Sequence, residues 1–386
     1  MLSYQEGVQV NIEKKTKSIW IEGTWRDIDG QTEIIYNPAT LKPITEVAYD
    51  GKKETEEAIQ AATRALVSWS GTTGRDRAIF LYKASQLMME DAERLGEVLT
   101  LEQGKPLHEA IGEVKSAAAF LLWYAEEASR GYGEWIPSSN QTKRLLVIPK
   151  PIGVVGAITP WNFPSSMITR KIAPALAAGC TLVLKPAPET PLSAIEIMKI
   201  FQRAGIPDGV VNLVTGDAKA IGKSLLESKD VRLITFTGST SVGKYLIQES
   251  AKHVKKLSLE LGGHAPSIIF EDADIERAAA LVLGSKFRNN GQTCICTNRL
   301  YVHESIAEKF TAKLTEKVQQ LKIGCGMEID TQLGPLINKK ALEKVHAHLE
   351  DAVIKGAKVI CGGAPWTGNL GDTSTSLQFY RMLRMK

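Results

Sequence analysis

The chain has 386 residues, of which 44% are hydrophobic and 23% charged, and its formal net charge is +4. This length exceeds what one hydrophobic core usually supports, so we expect two lobes. This net charge is too small to imply a surface for nucleic acid or membrane, so we expect neither as a partner. Five cysteines do not suit a disulfide scaffold, and no leader-like or membrane-spanning run occurs, which predicts a cytoplasmic protein acting on small molecules.

The first part of the chain predicts a strand pair followed by helices. The runs Ser18–Gly23 and Thr32–Pro38 are strand-like and end at Gly or Pro, so we expect them to form one opening hairpin. Apolar residues then recur at spacings of three and four over Thr55–Ala65, Arg75–Ala92 and His108–Tyr132, which predicts amphipathic helices. Gly, Pro and Ser interrupt this pattern, and residues 133–149 are expected to form an arm that bridges subunits.

From Gly153 onward, short apolar runs alternate with helical stretches. This alternation predicts right-handed βαβ units and a mostly parallel, doubly wound sheet with helices on both faces. The predicted strands are Val154–Thr159, Thr181–Lys185, Val210–Thr215, Leu233–Thr237 and Leu257–Leu261. The predicted helices are Ser166–Ala178, Pro191–Ala204, Ala218–Glu227 and Val242–Lys252.

A second alternation predicts a second α/β lobe. Its strands are expected at Ser267–Glu271, Arg299–His303 and Lys358–Cys361, and its helices at Ile275–Asn289, Ser305–Leu321 and Lys340–Lys355. Residues 364–386 show no usable period. The second lobe is therefore expected to be incomplete.

Polar residues lie where the predicted parallel strands end, which is where such sheets bind ligands. Asn162 lies in the stiff loop Pro160-Trp-Asn-Phe-Pro164, and such a loop can aim a side-chain amide at an oxyanion. Glu260 closes the fifth strand and is expected to be half-buried, an environment that favours proton uptake near neutral pH and thus a general base. A solvated strand-end carboxylate is the alternative.

The stretch Arg288–Cys296 presents a candidate nucleophile. Gly291 permits a turn, and Gln292 and Thr293 place free backbone N–H groups beside Cys294. A thiol there can attack a substrate while these N–H groups hold the developing oxyanion. The alternative is a buried structural cysteine.

The segment Gly238–Gly243 lies between a predicted strand and helix, so it can bind phosphate at the helix N-terminus. With Lys244 it superficially matches a P-loop, but Tyr245 stands where a Ser or Thr would hold magnesium. We therefore expect a dinucleotide rather than a nucleoside triphosphate.

No metal site is predicted. Cys294 and Cys296 lack a second pair of ligands, and His346 and His348 would point to different faces of a helix. If the thiolate is reactive, a reversible disulfide between Cys294 and Cys296 would act as a redox switch.

Five motifs in this order and spacing resemble the aldehyde dehydrogenase superfamily. They are Pro160-Trp-Asn-Phe-Pro164, Lys185-Pro186, Phe236-Thr-Gly-Ser-Thr240, Leu259-Glu-Leu-Gly-Gly263 and Gly291-Gln-Thr-Cys294. The resemblance covers roughly residues 19–363 and implies oxidation of an aldehyde to a carboxylic acid with NAD or NADP. It implies that Cys294 is the nucleophile and Glu260 the general base, and that Asn162 and the Cys294 backbone N–H form the oxyanion hole.

The resemblance also implies a set of cofactor contacts. These are Thr159, Trp161, Lys185, Gly238, Ser239 and Leu261. Pro188 stands where many relatives carry a Glu, which would bind the ribose hydroxyls and repel a 2′-phosphate. The expectation therefore leans towards NADP, with NAD as the alternative.

Within the superfamily, the chain is most similar to succinate-semialdehyde dehydrogenases at Ser166–Lys171, Ser285–Asn289 and Cys294-Ile-Cys296. Arg170 and Arg288 would then bind the far carboxylate of the substrate, a role suited to guanidinium groups. A glutarate-semialdehyde enzyme would need the same arginines, so the chain length of the substrate stays open. Each arginine alone could equally be a solvated surface residue.

The implied fold class is α/β, of aldehyde dehydrogenase type. The dinucleotide-binding domain would comprise residues 17–132 and 150–261, the bridging arm 133–149, the catalytic domain 262–363, and an atypical tail 364–386. Relatives continue past residue 363 with further catalytic motifs, so the catalytic lobe is expected to be truncated. We expect a homo-oligomer; the rivals are an acylating enzyme that uses coenzyme A, against which Glu260 counts, and a catalytically silent binding or assembly subunit.

Overall fold

The structure is a computed structural model that describes residues 12–26, 30–49, 51–364 and 382–385. Most of the tail 364–386 therefore lies outside the described residues. No helix in these ranges is long and apolar enough to cross a membrane.

The chain opens with two separate strand pairs. Strands β1 (Trp20–Ile21) and β2 (Thr24–Trp25) pair with each other, and β3 (Thr32–Tyr36) pairs with β4 (Pro43–Ala48), all antiparallel. The single opening hairpin predicted from the sequence is wrong. The left-handed conformations of Glu22 and Gly23, with φ of 52° and 77°, turn the chain back at once, so β1 finds its partner within four residues.

Four helices follow the strand pairs. They are α1 (Lys52–Trp69), α2 (Gly74–Glu90), α3 (Ala92–Gln103) and α4 (Leu107–Glu127), and a short 3-10 turn Ala128–Arg130 extends the last one. Three of these helices were predicted, with boundaries shifted by a few residues, whereas α3 was missed. Gly104, with φ of 91°, ends α3 in the left-handed conformation.

The segment 133–149 forms an exposed antiparallel hairpin of β5 (Glu134–Ile136) and β6 (Leu145–Val147). Beyond it lie the predicted βαβ units. Their strands are β7 (Val154–Ile158), β8 (Thr181–Lys185), β9 (Val211–Leu213), β10 (Val231–Thr237) and β11 (Lys256–Glu260). Their helices are α5 (Pro164–Ala177), α6 (Pro191–Ala204), α7 (Ala218–Glu227) and α8 (Thr240–Ser250), with a 3-10 turn at Ala251–His253.

Together with β1 and β2, these five strands form one seven-stranded sheet in the order β11-β10-β7-β8-β9-β1-β2. The five strands of the βαβ units are parallel, and β1 joins antiparallel to β9. Alternate residues of β8 enter different cores: Leu182 and Leu184 pack with α2 to α6, and Val183 packs with α1 and α7. Helices thus cover both faces, and the predicted doubly wound sheet is confirmed.

The second lobe begins after β11. Its elements are β12 (Ala265–Ile269), α9 (Ile275–Phe287), β13 (Thr297–Val302), α10 (Glu304–Gln319), α11 (Lys339–Ile354), β14 (Lys358–Gly362) and β15 (Met382–Met385). Strands β12 and β13 are parallel, and β14 and β15 are antiparallel. A small core centred on Val282, Phe310 and Leu314 holds this lobe together.

Candidate active site

Four predicted site residues lie at the carboxyl ends of neighbouring strands in the large sheet. Its neighbouring strands β11, β10, β7 and β8 all end there, with Thr237 opposite Glu260 and Ile158 opposite Lys185. Asn162 follows β7, and Gly238 follows β10 and donates its N–H to the Glu260 carbonyl at 3.0 Å. The parallel register therefore places these four residues around one crevice.

The cysteine loop connects α9 to β13 through a 3-10 turn, Arg288–Gly291. Asn289, Asn290 and Gly291 all have positive φ, at 50°, 58° and 77°. Asn and Gly tolerate this left-handed region, so the local sequence suits the sharp reversal. The reversal leaves Cys294 half-buried and free of any disulfide.

Asn162 contacts the cysteine loop directly. Its side-chain Nδ2 donates to the Gln292 carbonyl at 2.8 Å, two residues before Cys294. The Asn289 side chain bridges the same two segments, donating to the Asn162 carbonyl at 2.8 Å and to the Gln292 carbonyl at 3.2 Å. The predicted oxyanion donor and the loop that carries the predicted nucleophile are therefore held together, although 130 residues separate them in the sequence.

The second lobe holds the cysteine loop from its other side. Asn290 accepts from the Gly334 N–H at 2.6 Å and donates to the Pro335 carbonyl at 2.9 Å. The Gln292 side chain accepts from the Ile337 N–H at 3.0 Å. Side-chain amides thus fix the loop on both sides, and sequence analysis did not single out Asn289 or Asn290.

Glu260 is exposed, so the expectation that it is half-buried is wrong. The reason is its place on β11, which is an edge strand of the sheet and, within the described ranges, pairs with β10 alone. Its loop nevertheless reaches the cysteine: a Cβ added to Gly263 would lie 3.3 Å from the Cys294 carbonyl oxygen. The glycine therefore permits the close approach of the two segments.

Lys171 is a site residue that sequence analysis missed. It is buried in α5, and its Nζ donates to the Thr235 hydroxyl on β10 at 3.0 Å. Burial lowers its pKa to about 8, and the nearby charge of Glu260 partly opposes that fall. The available signal was one charged residue among the apolar and small polar residues on the buried face of a predicted helix.

The predicted cofactor residues also lie at or just beyond the carboxyl ends of these strands. Lys185 is only 4% exposed, and burial lowers its pKa to about 8 while the charges of Glu189, Glu33 and Asp217 partly oppose this. Ser239 caps α8 by accepting from the Val242 N–H at 3.4 Å. Trp161, Pro188 and Leu261 are half-buried in the adjoining loops.

These residues fit a dinucleotide. Thr159 Oγ1 and Thr237 Oγ1 are buried without a hydrogen-bond partner among the described residues, and both lie at carboxyl ends of strands. The N-terminus of α8 offers backbone N–H groups to a phosphate. The crevice thus supplies unpaired polar atoms, a buried cation and a helix N-terminus.

The two predicted carboxylate-binding arginines rest on different aromatic rings. The Arg170 guanidinium lies 4.5 Å from the Phe120 ring centroid, and that of Arg288 lies 5.0 Å from the Phe163 centroid. Both arginines are exposed. Their joint binding of one carboxylate stays a prediction.

Cys296 points inward from the cysteine loop. It is 1% exposed, and its thiol donates to the carbonyls of Lys286 at 3.4 Å and Gly291 at 3.3 Å. Neither Cys294 nor Cys296 forms a disulfide in this structure, so the predicted redox switch between them stays a prediction.

The model of the aldehyde dehydrogenase family matches residues 25–374. The chain belongs to this family. The predicted class of enzyme, an NAD(P)-dependent aldehyde dehydrogenase, and its α/β fold are therefore confirmed.

Two curated relatives and one solved structure place the chain more closely. It is 52% identical over 351 residues to a glutarate-semialdehyde dehydrogenase of Pseudomonas putida, covering 91% of this chain and 73% of the relative. It is 51% identical over 344 residues to an NADP(+) succinate-semialdehyde dehydrogenase of Escherichia coli, covering 89% and 71%. The crystal structure of a succinate-semialdehyde dehydrogenase from Burkholderia pseudomallei matches with a TM-score of 0.93 at 44% identity, covering 98% of this chain and 77% of that one.

Proposed function

We propose that this chain oxidises succinate semialdehyde to succinate with NADP+ or NAD+, through a thioester on Cys294. The observation that carries the proposal is the 2.8 Å hydrogen bond from Asn162 Nδ2 to the Gln292 carbonyl, which fixes an amide donor beside the cysteine loop. Similarity to the succinate- and glutarate-semialdehyde enzymes supports a carboxylate-bearing aldehyde.

The first step is attack of the Cys294 thiolate on the aldehyde carbon. Glu260, whose loop meets Cys294 at Gly263, takes the thiol proton through water. The Asn162 side-chain amide has two N–H donors, of which one is used by Gln292. The other N–H and the Cys294 backbone N–H stabilise the oxyanion of the tetrahedral adduct.

The adduct collapses to a thioester as hydride leaves the former aldehyde carbon. The chemistry that a bound NAD(P)+ would supply is that of a hydride acceptor. Lys185, Thr159 and the α8 N-terminus with Gly238 and Ser239 would hold the cofactor, supported by Trp161, Pro188 and Leu261. The absence of a Glu at position 188, together with the NADP(+) relative, favours NADP.

Hydrolysis completes the cycle. Glu260 removes a proton from water, the hydroxide adds to the thioester carbonyl, and the C–S bond breaks to give the acid and the Cys294 thiolate. Lys171, whose charge interacts with that of Glu260, sets the electrostatic environment of this base.

Arg170 and Arg288 are the proposed partners of the substrate's distant carboxylate. Glutarate semialdehyde is the close alternative substrate, because the relative that acts on it is as similar to this chain as the succinate-semialdehyde enzyme. Arg170→Met and Arg288→Met should each lower kcat/KM for both semialdehydes about tenfold or more, because charge-assisted hydrogen bonds contribute about 1.5–3 kcal/mol. The kcat/KM for propanal, which has no carboxylate, should not change in either variant.

The domain assignment, the oligomer and the location are also proposals. The large sheet and its helices would bind the cofactor, the β12 to β15 lobe would carry the cysteine, and the β5–β6 hairpin would join subunits. Exposed apolar side chains on that hairpin, among them Trp135 and Leu146, support the last assignment. The free cysteines are compatible with a reducing cytoplasm.

The deciding experiment follows reduced nicotinamide by its absorbance, with succinate or glutarate semialdehyde and either cofactor. Cys294→Ala should abolish turnover and retain NADP+ binding, whereas Cys361→Ala, which alters another half-buried cysteine in β14, should retain both. Turnover by Cys294→Ala would refute the proposed nucleophile. A wild-type chain that binds NADP+ without turnover would be the silent subunit.

A further inference from the structure

Lys105 is a fully buried cation outside the residues assigned so far. It lies between α3 and α4 with 0% exposure, next to the left-handed Gly104. Burial lowers its pKa, and the charges of Glu113 and Glu109 oppose that change. Burying a charge costs free energy, and an apolar residue at such a position often makes the fold equally stable. Stability alone therefore does not explain a lysine here, and its polar contacts indicate a further role.

The Lys105 ammonium makes two hydrogen bonds and one cation–π contact. Nζ donates to the Glu113 carboxylate at 2.5 Å and to the Asn162 carbonyl at 2.8 Å, and it lies 4.1 Å from the centroid of the Phe163 ring. Glu113 in turn accepts from the Ser166 N–H at 3.2 Å, at the start of α5. Lys105 and Glu113 thus bind the second half of the loop that carries Asn162 and the first turn of α5 that follows it.

The Asn162 carbonyl receives one hydrogen bond from each lobe. Lys105 donates from the first lobe, and the Asn289 side chain donates from the cysteine loop at 2.8 Å. Both lone pairs of the carbonyl are then used, so the peptide plane is fixed. The direction of the Asn162 side chain towards Gln292 depends on that plane.

We propose that Lys105, held by Glu113, is a positioning residue that orients the oxyanion donor Asn162 against the cysteine loop. This inference rests on the proposed function. Lys105 touches no reacting atom and acts through Asn162. Misplacement of a catalytic group by about 1 Å can lower the rate about 100-fold, so its loss should appear in kcat.

The test is a double-mutant cycle on the full chain with succinate semialdehyde and NADP+. Asn162→Ala should lower kcat about 100- to 1000-fold, and Lys105→Met about 10- to 100-fold. If Lys105 acts through Asn162, the double variant should be no slower than Asn162→Ala within about twofold. In Lys105→Met, the rate at which iodoacetamide alkylates Cys294 and the Kd for NADP+ should both stay within about twofold of the wild-type values, since neither depends on the oxyanion hole.

A gentler variant guards against misfolding of Lys105→Met. Glu113→Gln keeps the shape but removes the anion, and it should lower kcat by less in the same direction. Glu102→Gln is the matched control, because Glu102 is also buried but accepts from the Leu192 and Ser193 N–H groups at the start of α6. The Glu102→Gln variant should be less stable than wild type, and its kcat should stay within about twofold of the wild-type value.

The outcomes separate this inference from the proposed function. Multiplicative losses in the double variant, or wild-type kcat in both Lys105→Met and Glu113→Gln, would overturn the positioning role alone. An inactive wild-type chain, or wild-type kcat in Asn162→Ala, would instead contradict the proposed function.

Discussion

Three consecutive left-handed residues determine the shape of the cysteine loop. Asn289 is fully buried at 0% exposure, and its backbone N–H donates to the Glu109 carboxylate at 2.7 Å. Its side chain donates to the Asn162 carbonyl, which joins the two loops, and to the Gln292 carbonyl within the cysteine loop. Asparagine thus serves twice here, by tolerating positive φ and by donating across the lobes.

Replacing Asn289 can separate these two roles. Asn289→Gly and Asn289→Ala both lose the side-chain bonds, but only alanine is strained at φ 50°, so the Ala variant should be less stable by about 1 kcal/mol. Denaturant midpoints of the two variants measure the difference. At Asn298 in strand β13 the order should reverse, because glycine weakens a strand. A Gly variant at 289 less stable than the Ala variant would contradict the strain argument.

Lys171 should make stability depend on alkaline pH. Burial lowers the pKa of Lys171 to about 8 in the fold, against 10.5 for a solvated lysine, so between these pH values the unfolded chain binds the proton that the folded chain has released. By linkage, the free energy of unfolding rises from pH 8 to 10.5, because the penalty for burying the cation is present below 8 and is relieved above it.

Comparing wild type with Lys171→Met isolates this contribution. The stability of the wild type relative to the variant should rise with pH over that window by up to about 3 kcal/mol, since one pKa unit corresponds to about 1.4 kcal/mol. Melting temperatures at pH 7, 8, 9 and 10 give the curve. Lys53→Met on the exposed side of α1 should give a flat difference. A flat curve for Lys171→Met as well would refute the lowered pKa.

At the scale of elements, the hairpin of β5 and β6 stands apart. Trp135 and Leu146 are directly opposite in register and are 70% and 64% exposed. A two-stranded hairpin is marginally stable alone, and its neighbouring exposed apolar side chains support the proposal that another chain covers this surface.

Charges on this hairpin should therefore weaken self-association. Trp135→Lys with Leu146→Lys should lower the molar mass measured by light scattering, because two ammonium groups would have to be buried at the contact. Val67→Lys, which alters an exposed apolar residue on α1, should leave the mass unchanged. Unchanged mass in the hairpin variant, or a monomeric wild type, would argue against the arm.

The same scale shows what sequence periodicity can reveal. Helices α6 and α7 have the predicted bounds, since Pro191 begins one, Asp217 caps the other, and apolar spacing is regular between the ends. Helix α3 was missed because Thr100, Glu102 and Gln103 lie on its buried face and break the apolar pattern. Glu102 finds its partners in another element, at the start of α6, so periodicity could not reveal why a carboxylate is buried there.

At the scale of the whole molecule, the crevice depends on strand order and on bonds between distant segments. Strand ends located the candidate residues, because parallel strands bring their carboxyl ends to one edge. The exposure of Glu260 could not be predicted, since it depends on β11 being an edge strand. Nor could the link from Lys105 to Asn162, which spans 57 residues and has no local pattern.

Cofactor binding should stabilise the whole fold through these strand ends. A ligand that binds only the folded chain stabilises it by about 2.7 kcal/mol at 100 times its Kd, so NADP+ should raise the melting temperature of wild type and of Cys294→Ala equally. Lys185→Met removes the buried cation of the crevice and should abolish most of that rise. Lys199→Met on α6, which alters an exposed lysine paired with Glu196, should keep it. A full rise in Lys185→Met would place the cofactor away from the carboxyl end of β8 and would contradict the crevice as the dinucleotide site.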